Sequence, residues 1–228
     1  MMVNNEIGTI QPIDRLADLA RQVGALFLTD AVQGYGREAI PDSADLVAIS
    51  AHKIHGPKGI GALWIRDGVT LEPLLHGGGQ EPAGRSGTLS PALCAGFGAA
   101  ATVAKQRFGA DRAHVAQLHR AAWAALGPAG WTLNGSAQER YPGNLNLRYP
   151  GIDVARLMSD LRDIAFSAGS ACAIGSGRPS HVLKAIGLSD ADARSSIRLG
   201  FGRYTTEEEL LTACQRIDEA ARMQKIAA

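Results

Sequence analysis

Over the first third of the chain, short apolar runs alternate with a stretch of helical period. From Pro12 to Val23, the apolar residues Ile13, Leu16, Leu19, Ala20 and Val23 recur at the spacing of one helix face. Ala25–Thr29 is a short continuous apolar run that ends at Asp30, Leu46–Ser50 is a second, and Ala62–Ile65 is a third. Such runs predict strands of a sheet covered on both faces, the α/β pattern. Chemically capable residues follow two of the runs directly, at Asp30 and at His52-Lys53. In open α/β sheets, ligands gather at the carboxyl ends of strands.

A Gly-rich segment follows, from His76-Gly77-Gly78-Gly79 to Arg85-Ser86-Gly87-Thr88. Ser90-Pro91 then predicts a helix start, with Ser90 as cap and Pro91 in the first turn. A second helix is expected from about Asp111 to Leu126. Beyond Trp131 the pattern changes. Short strands (Trp131–Asn134, Leu145–Arg148, Ala165–Ser167, Ser196–Leu199) alternate with helices near Val154–Arg162 and Ser180–Ile186. A last helix runs from about Thr206 to Ala221, opened by Thr206-Glu207-Glu208-Glu209 as a capping box. The pattern divides the chain into residues 1–110, part of a mixed, mostly parallel α/β sheet domain, and residues 111–228, a small α+β domain.

Composition adds exclusions. The chain has 228 residues, 46% of them hydrophobic and 20% charged, an ordinary globular balance. With 23 basic against 22 acidic residues, charge gives no reason to expect nucleic acid or an anionic membrane as partner. No apolar run is long enough to span a bilayer, and the first residues lack the features of a signal peptide. Three scattered cysteines, Cys94, Cys172 and Cys214, argue against a disulfide framework and for a reducing, cytoplasmic setting. No C-x-x-C pair or His/Cys cluster suggests a metal site.

The segment Ser50-Ala51-His52-Lys53-Ile54-His55-Gly56-Pro57-Lys58-Gly59 carries the most chemistry. A lysine just past a buried strand is open to desolvation, which lowers an ammonium's pKa and frees the amine to attack an aldehyde. Taken alone, Lys53 is more often a solvated loop lysine, as Asp30 is more often a turn residue. Together they fit the needs of pyridoxal 5'-phosphate (PLP). That group takes a carboxylate at its pyridine nitrogen, a donor near its ring hydroxyl and further donors for its phosphate. Asp30, Gln33, and Ser50 with His52 supply these in order.

Six ordered motifs resemble those of the cysteine desulfurases, which are fold-type I, class V aminotransferase-like PLP enzymes. They are Val3-Asn4-Asn5-Glu6-Ile7-Gly8, Asp30-Ala31-Val32-Gln33, Ser50 to Gly61, Arg85-Ser86-Gly87-Thr88, Ser167-Ala168-Gly169-Ser170-Ala171-Cys172 and Ser196-Ile197-Arg198. The resemblance implies that Lys53 bonds covalently to PLP, Asp30 pairs with the pyridine nitrogen, and Gln33 bonds the ring hydroxyl. It further implies that Ser50 and His52 bind the phosphate and that Thr88 reaches the cofactor of a homodimer partner. Asn5 would lie near the ring hydroxyl and the substrate carboxylate, which Arg198 would hold with its bidentate guanidinium. Cys172 would take sulfur from L-cysteine as a persulfide, releasing L-alanine, and pass it to an acceptor such as an iron–sulfur scaffold or a tRNA-thiolation pathway. Ala168 departs mildly from the family loop.

Cys172 lies in a Gly/Ser-rich flank that argues against the core role most free cysteines have. The helical settings of Cys94 and Cys214 predict core. The family's N-terminal segment, with its Gly-rich phosphate loop and ring-stacking histidine, has no counterpart here. The isolated chain is therefore expected to bind PLP weakly or not at all. The alternatives are a selenocysteine lyase-like enzyme, a non-catalytic remnant or subunit, and a plain α/β domain.

Overall fold

The structure is a computed structural model, and it describes residues 1–81, 84–168 and 179–226. The chain forms two compact units. The first comprises Met1–Met2 and Gln11–Phe108, and the second comprises Val3–Ile10 and Gly109–Ala228. The segment Val3–Ile10, which a linear division leaves in the first domain, thus packs with the second. The reason is hydrogen bonding: Ile10 N–H donates to the Glu139 carbonyl (2.9 Å) and Tyr141 N–H to that of Gly8 (2.9 Å).

The first unit opens with α1 (Ile13–Gln22), which buries Ile13 and Ala17. Then come β1 (Leu28–Asp30), β2 (Leu46–Ser50), a short 3-10 helix (Ala51–Ile54) and β3 (Gly61–Ile65). The strands form one sheet in the order β1-β2-β3, parallel between β1 and β2 and antiparallel between β2 and β3. Asp30 pairs in register with Ala48, so β1 and β2 end at the same sheet edge. The first strand is shorter than its apolar run predicts. Ala25 N–H instead completes the turn after α1, on Ala20 O, and Phe27 N–H donates to Asp45 Oδ2 (2.8 Å). In this chain part of the strand surface is open to solvent. Leu28, Leu63 and Trp64 are 55%, 43% and 48% exposed.

The helix α2 (Pro91–Leu126) is continuous for 36 residues, where two helices were expected. It carries three glycines, Gly96, Gly98 and Gly109. A glycine costs a helix only about 1 kcal/mol, whereas a proline would break it, and no proline falls between Pro91 and Leu126.

The second unit contains β4 (Thr132–Leu133), β5 (Asn144–Arg148), α3 (Val154–Asp160), β6 (Ser167–Ala168), α4 (His181–Ala185), α5 (Asp190–Arg194), β7 (Ser196–Gly200) and α6 (Glu207–Ile226). Its antiparallel sheet runs β4-β5-β7-β6, an α+β arrangement. Leu145, Leu147 and Ile197 are fully buried. The capping box before α6 forms as predicted: Glu209 N–H donates to Thr206 Oγ1 and Thr206 N–H donates to Glu209 Oε2. Helix α5 was not anticipated. Its signal is Ser189 with Asp192, whose N–H donates to Ser189 Oγ at 3.1 Å.

Among the described residues, no helix is long and apolar enough to cross a membrane. No group of three or more His, Cys, Asp or Glu side chains there is arranged to hold a metal ion.

Candidate active site

In the first unit, the two parallel strands deliver their chemistry to one edge. Asp30 closes β1, and its Oδ1 accepts from Val32 N–H (2.8 Å), fixing the carboxylate over the turn that carries Gln33. Ser50 closes β2, and its Oγ lies 2.7 Å from His52 Nδ1. The 3-10 helix that follows carries His52 and Lys53 and stops at His55, whose backbone is left-handed (φ 67°). Lys53 is half-buried and His52 exposed. Gly56 allows this loop to sit tightly: a Cβ there would lie 2.9 Å from Ala51 O and 3.1 Å from the Ala100 methyl on α2.

Arg37 ties the cluster together, and sequence reasoning missed it. Its Nη1 donates to Gln33 Oε1 (3.0 Å) and its Nη2 to the Lys53 carbonyl (2.6 Å). With its oxygen taken this way, the Gln33 amide keeps its NH2 group as the donor. The signal for Arg37 was its position four residues after Gln33, the spacing of neighbours on one helical turn. Thr88 is exposed, and Ser86, two residues before it, is buried and accepts from Gly79 N–H (3.0 Å).

In the second unit, Asn5 and Arg198 come together. The Asn4 side chain shapes the turn by accepting from Glu6 N–H (2.9 Å) and Ile7 N–H (3.0 Å), and Gly8 closes it with φ +72°. The Asn5 carbonyl then accepts from Arg198 Nη1 (2.8 Å). Arg198 sits on β7 between Asn146 of β5 and Ser167 of β6, and its Nη2 donates to Ser167 Oγ (3.2 Å). Glu6 is buried and accepts from Ser180 Oγ, the residue that caps α4.

A buried polar layer underlies this half. Asn146 Nδ2 donates to Glu6 O (3.0 Å), and Asn134 Nδ2 donates to Asn146 Oδ1 (2.8 Å). Arg140 donates to the carbonyls of Ser136 (2.8 Å), Asn144 (3.0 Å) and Asn134, and burial pulls its pKa down to about 10. The signal for the two asparagines was Asn144-Leu145-Asn146, which places two poor strand formers on the same face of one strand.

Cys172 lies outside the described residues. Cys214, expected in the core, is fully buried, and burial raises its thiol pKa to about 11. Cys94 is half-buried.

A lysine one short turn past β2 and a carboxylate closing the parallel strand β1 thus lie toward the same end of an α/β sheet. The chain belongs to the aminotransferase class-V family, whose match covers residues 1–212. A mitochondrial cysteine desulfurase of Saccharomyces cerevisiae is 50% identical over 216 residues, 92% of this chain but 44% of that protein. The fold matches a NifS-like protein with TM-score 0.87 at 31% identity, covering 98% of this chain and 60% of that one. SspA, solved in complex with cysteine, matches with TM-score 0.73 at 35% identity, covering 90% of this chain and 58% of that one. The chain spans about half the length of the curated relatives it matches.

Proposed function

We propose that this chain serves a PLP-dependent cysteine desulfurase, removing sulfur from L-cysteine to give L-alanine and a persulfide on Cys172. The observation that carries the reading is the convergence of Asp30, Ser50, His52 and Lys53 at the common end of β1 and β2. The donor set fits PLP: a carboxylate for the pyridine nitrogen, the NH2 of Gln33 for the ring hydroxyl, and the Ser50–His52 pair for the phosphate. Thr88 would add a contact to the cofactor of a partner subunit, and Asn5 one to the ring hydroxyl. When bound, PLP supplies an electron sink next to the substrate α-carbon.

The chain's own residues do the rest. Lys53 Nζ would hold the cofactor, and the same amine would take the substrate α-proton. Arg198 holds the substrate carboxylate, leaving the sulfur free to meet Cys172. The Cys172 thiolate attacks that sulfur. An S–S bond forms, the substrate C–S bond breaks with its electron pair going to carbon, and protonation there completes L-alanine. Thiol plus L-cysteine becomes persulfide plus L-alanine, so atoms and electrons balance. The persulfide sulfur then passes to an acceptor protein in a reducing, cytoplasmic setting.

The name of the yeast relative and the cysteine bound to SspA support L-cysteine as substrate. A second reading, a subunit active only when its strand faces are covered, is favoured by the exposure of Leu28, Leu63 and Trp64. The test is sulfide release from L-cysteine by the chain with excess PLP and a thiol reductant. Cys172→Ser should abolish release while leaving cofactor attachment at Lys53 intact. Release that survives this substitution contradicts the reading, and release that appears only after a second chain is added selects the subunit.

A further inference from the structure

We infer that Asn144 is a positioning residue for the Asn5–Arg198 pair, serving the binding of an amino-acid carboxylate rather than the stability of the fold. The inference rests on the reading of Arg198 proposed above. Asn144 opens β5 and turns its amide toward the Asn4–Gly8 turn. Its Nδ2 donates to the Asn5 carbonyl at 3.0 Å, the same oxygen that accepts from Arg198 Nη1 at 2.8 Å. A carbonyl oxygen has two lone pairs, and these two donors use both. The guanidinium is thus held at both ends, by Asn5 O on Nη1 and by Ser167 Oγ on Nη2. Its remaining N–H groups keep a fixed direction for a carboxylate. Gly8 makes the close approach possible, because a Cβ there would lie 3.2 Å from Asn144 Cβ.

The other half of the Asn144 amide separates this role from a structural one. Its Oδ1 is buried and has no hydrogen-bond partner among the described residues. The bond to Asn5 fixes which way the amide faces, so rotating it cannot relieve that oxygen. A buried acceptor without a partner offsets much of what one hydrogen bond returns. Asn144 therefore contributes little net stability, yet it holds the carbonyl on which Arg198 rests. Asn146, two residues on along the same strand, is the internal contrast. It is fully buried and satisfied on both sides, donating to Glu6 O and accepting from Asn134 Nδ2. It is a structural residue.

The experiment compares Asn144→Ala and Asn146→Ala in the full 228-residue chain. Three quantities are read: the urea unfolding midpoint, the guanidinium 15N–1H signals of Arg198, and the dissociation constant of L-alanine followed at those signals with PLP present. Asn144→Ala should leave the midpoint unchanged, merge the distinct Nη signals of Arg198, and weaken L-alanine binding about fivefold to tenfold, the effect of one hydrogen bond. Asn144→Asp, which keeps the shape and lacks the donor, should also merge the signals. Asn146→Ala should lower the midpoint. The inference is overturned if Asn144→Ala leaves the Arg198 signals as they were, or if it lowers the midpoint as far as Asn146→Ala does. A different result, no effect of L-alanine on Arg198 in the unsubstituted chain, defeats the reading of Arg198 itself.

Discussion

In the second unit, Leu145, Leu147 and Ile197 are fully buried on the sheet, while in the first Leu28, Leu63 and Trp64 keep about half their surface in solvent. The second unit encloses its own core and buries a polar layer inside it, in which Asn134, Arg140 and Asn146 bond one another and nearby carbonyls. The first gathers its reactive side chains at the strand ends, and its strand faces stay open. Exposed apolar strand faces favour association with another surface. Chemistry placed at strand ends needs only local geometry, from the parallel pair and the loop that Gly56 admits. A closed core needs the whole unit.

The largest effect expected is on the enclosed side. Arg140→Leu leaves three carbonyls without their donor inside the second unit. Stability should fall by on the order of 4 kcal/mol, read from the urea unfolding of Trp131 fluorescence. Arg140→Lys should recover little, because an ammonium cannot match the planar fork. Retention of stability in the leucine variant would mean that the polar layer does not hold the unit.

A smaller effect concerns pH. Burial first, then the charges of Arg140 and Arg120, lowers the His119 pKa below its ordinary 6.5. The unfolded chain therefore binds more protons than the folded one between that lowered value and 6.5. Stability rises with pH across this window and is lost as pH falls below 6.5. His119→Gln should flatten the dependence, as measured by urea midpoints on either side of 6.5. An unchanged slope would assign the dependence to other groups.

The smallest effect belongs to the open side. Trp64→Ser on β3 should change stability by no more than about 0.5 kcal/mol, since the side chain is 48% exposed. The same substitution should reduce self-association in sedimentation. A large loss of stability would mean that the strand face is packed in solution, and the contrast between the units would fail.

Much of this was legible in the residues. The run Leu46–Ser50 gave β2 at its observed bounds, and the position of Asp30 at the end of β1 and of Lys53 just past β2 followed from runs of apolar residues. The capping box at Thr206 marked the last helix. Other features depend on contacts between residues distant in sequence. Phe27 N–H leaves the strand because Asp45, 18 residues on, takes it. The turn Val3–Ile10 joins the second unit through Glu139 and Tyr141. The Asn144–Asn5 bond spans 139 residues, which no local period encodes. Arg37 was within reach by its spacing from Gln33, but its bond to the Lys53 carbonyl was not.

The central claim is that Lys53 holds the cofactor, and trapping tests it most directly. The chain is incubated with excess PLP, reduced with borohydride and mapped by peptide mass, with Lys58, five residues on and exposed, as the neighbouring control. Binding by this chain is expected to be weak, so excess PLP is used to populate it, and the account predicts that the pyridoxyl adduct that forms is concentrated on Lys53, lost in Lys53→Ala and diminished in Asp30→Ala. An adduct shared equally with Lys58, or absent from Lys53, would contradict it.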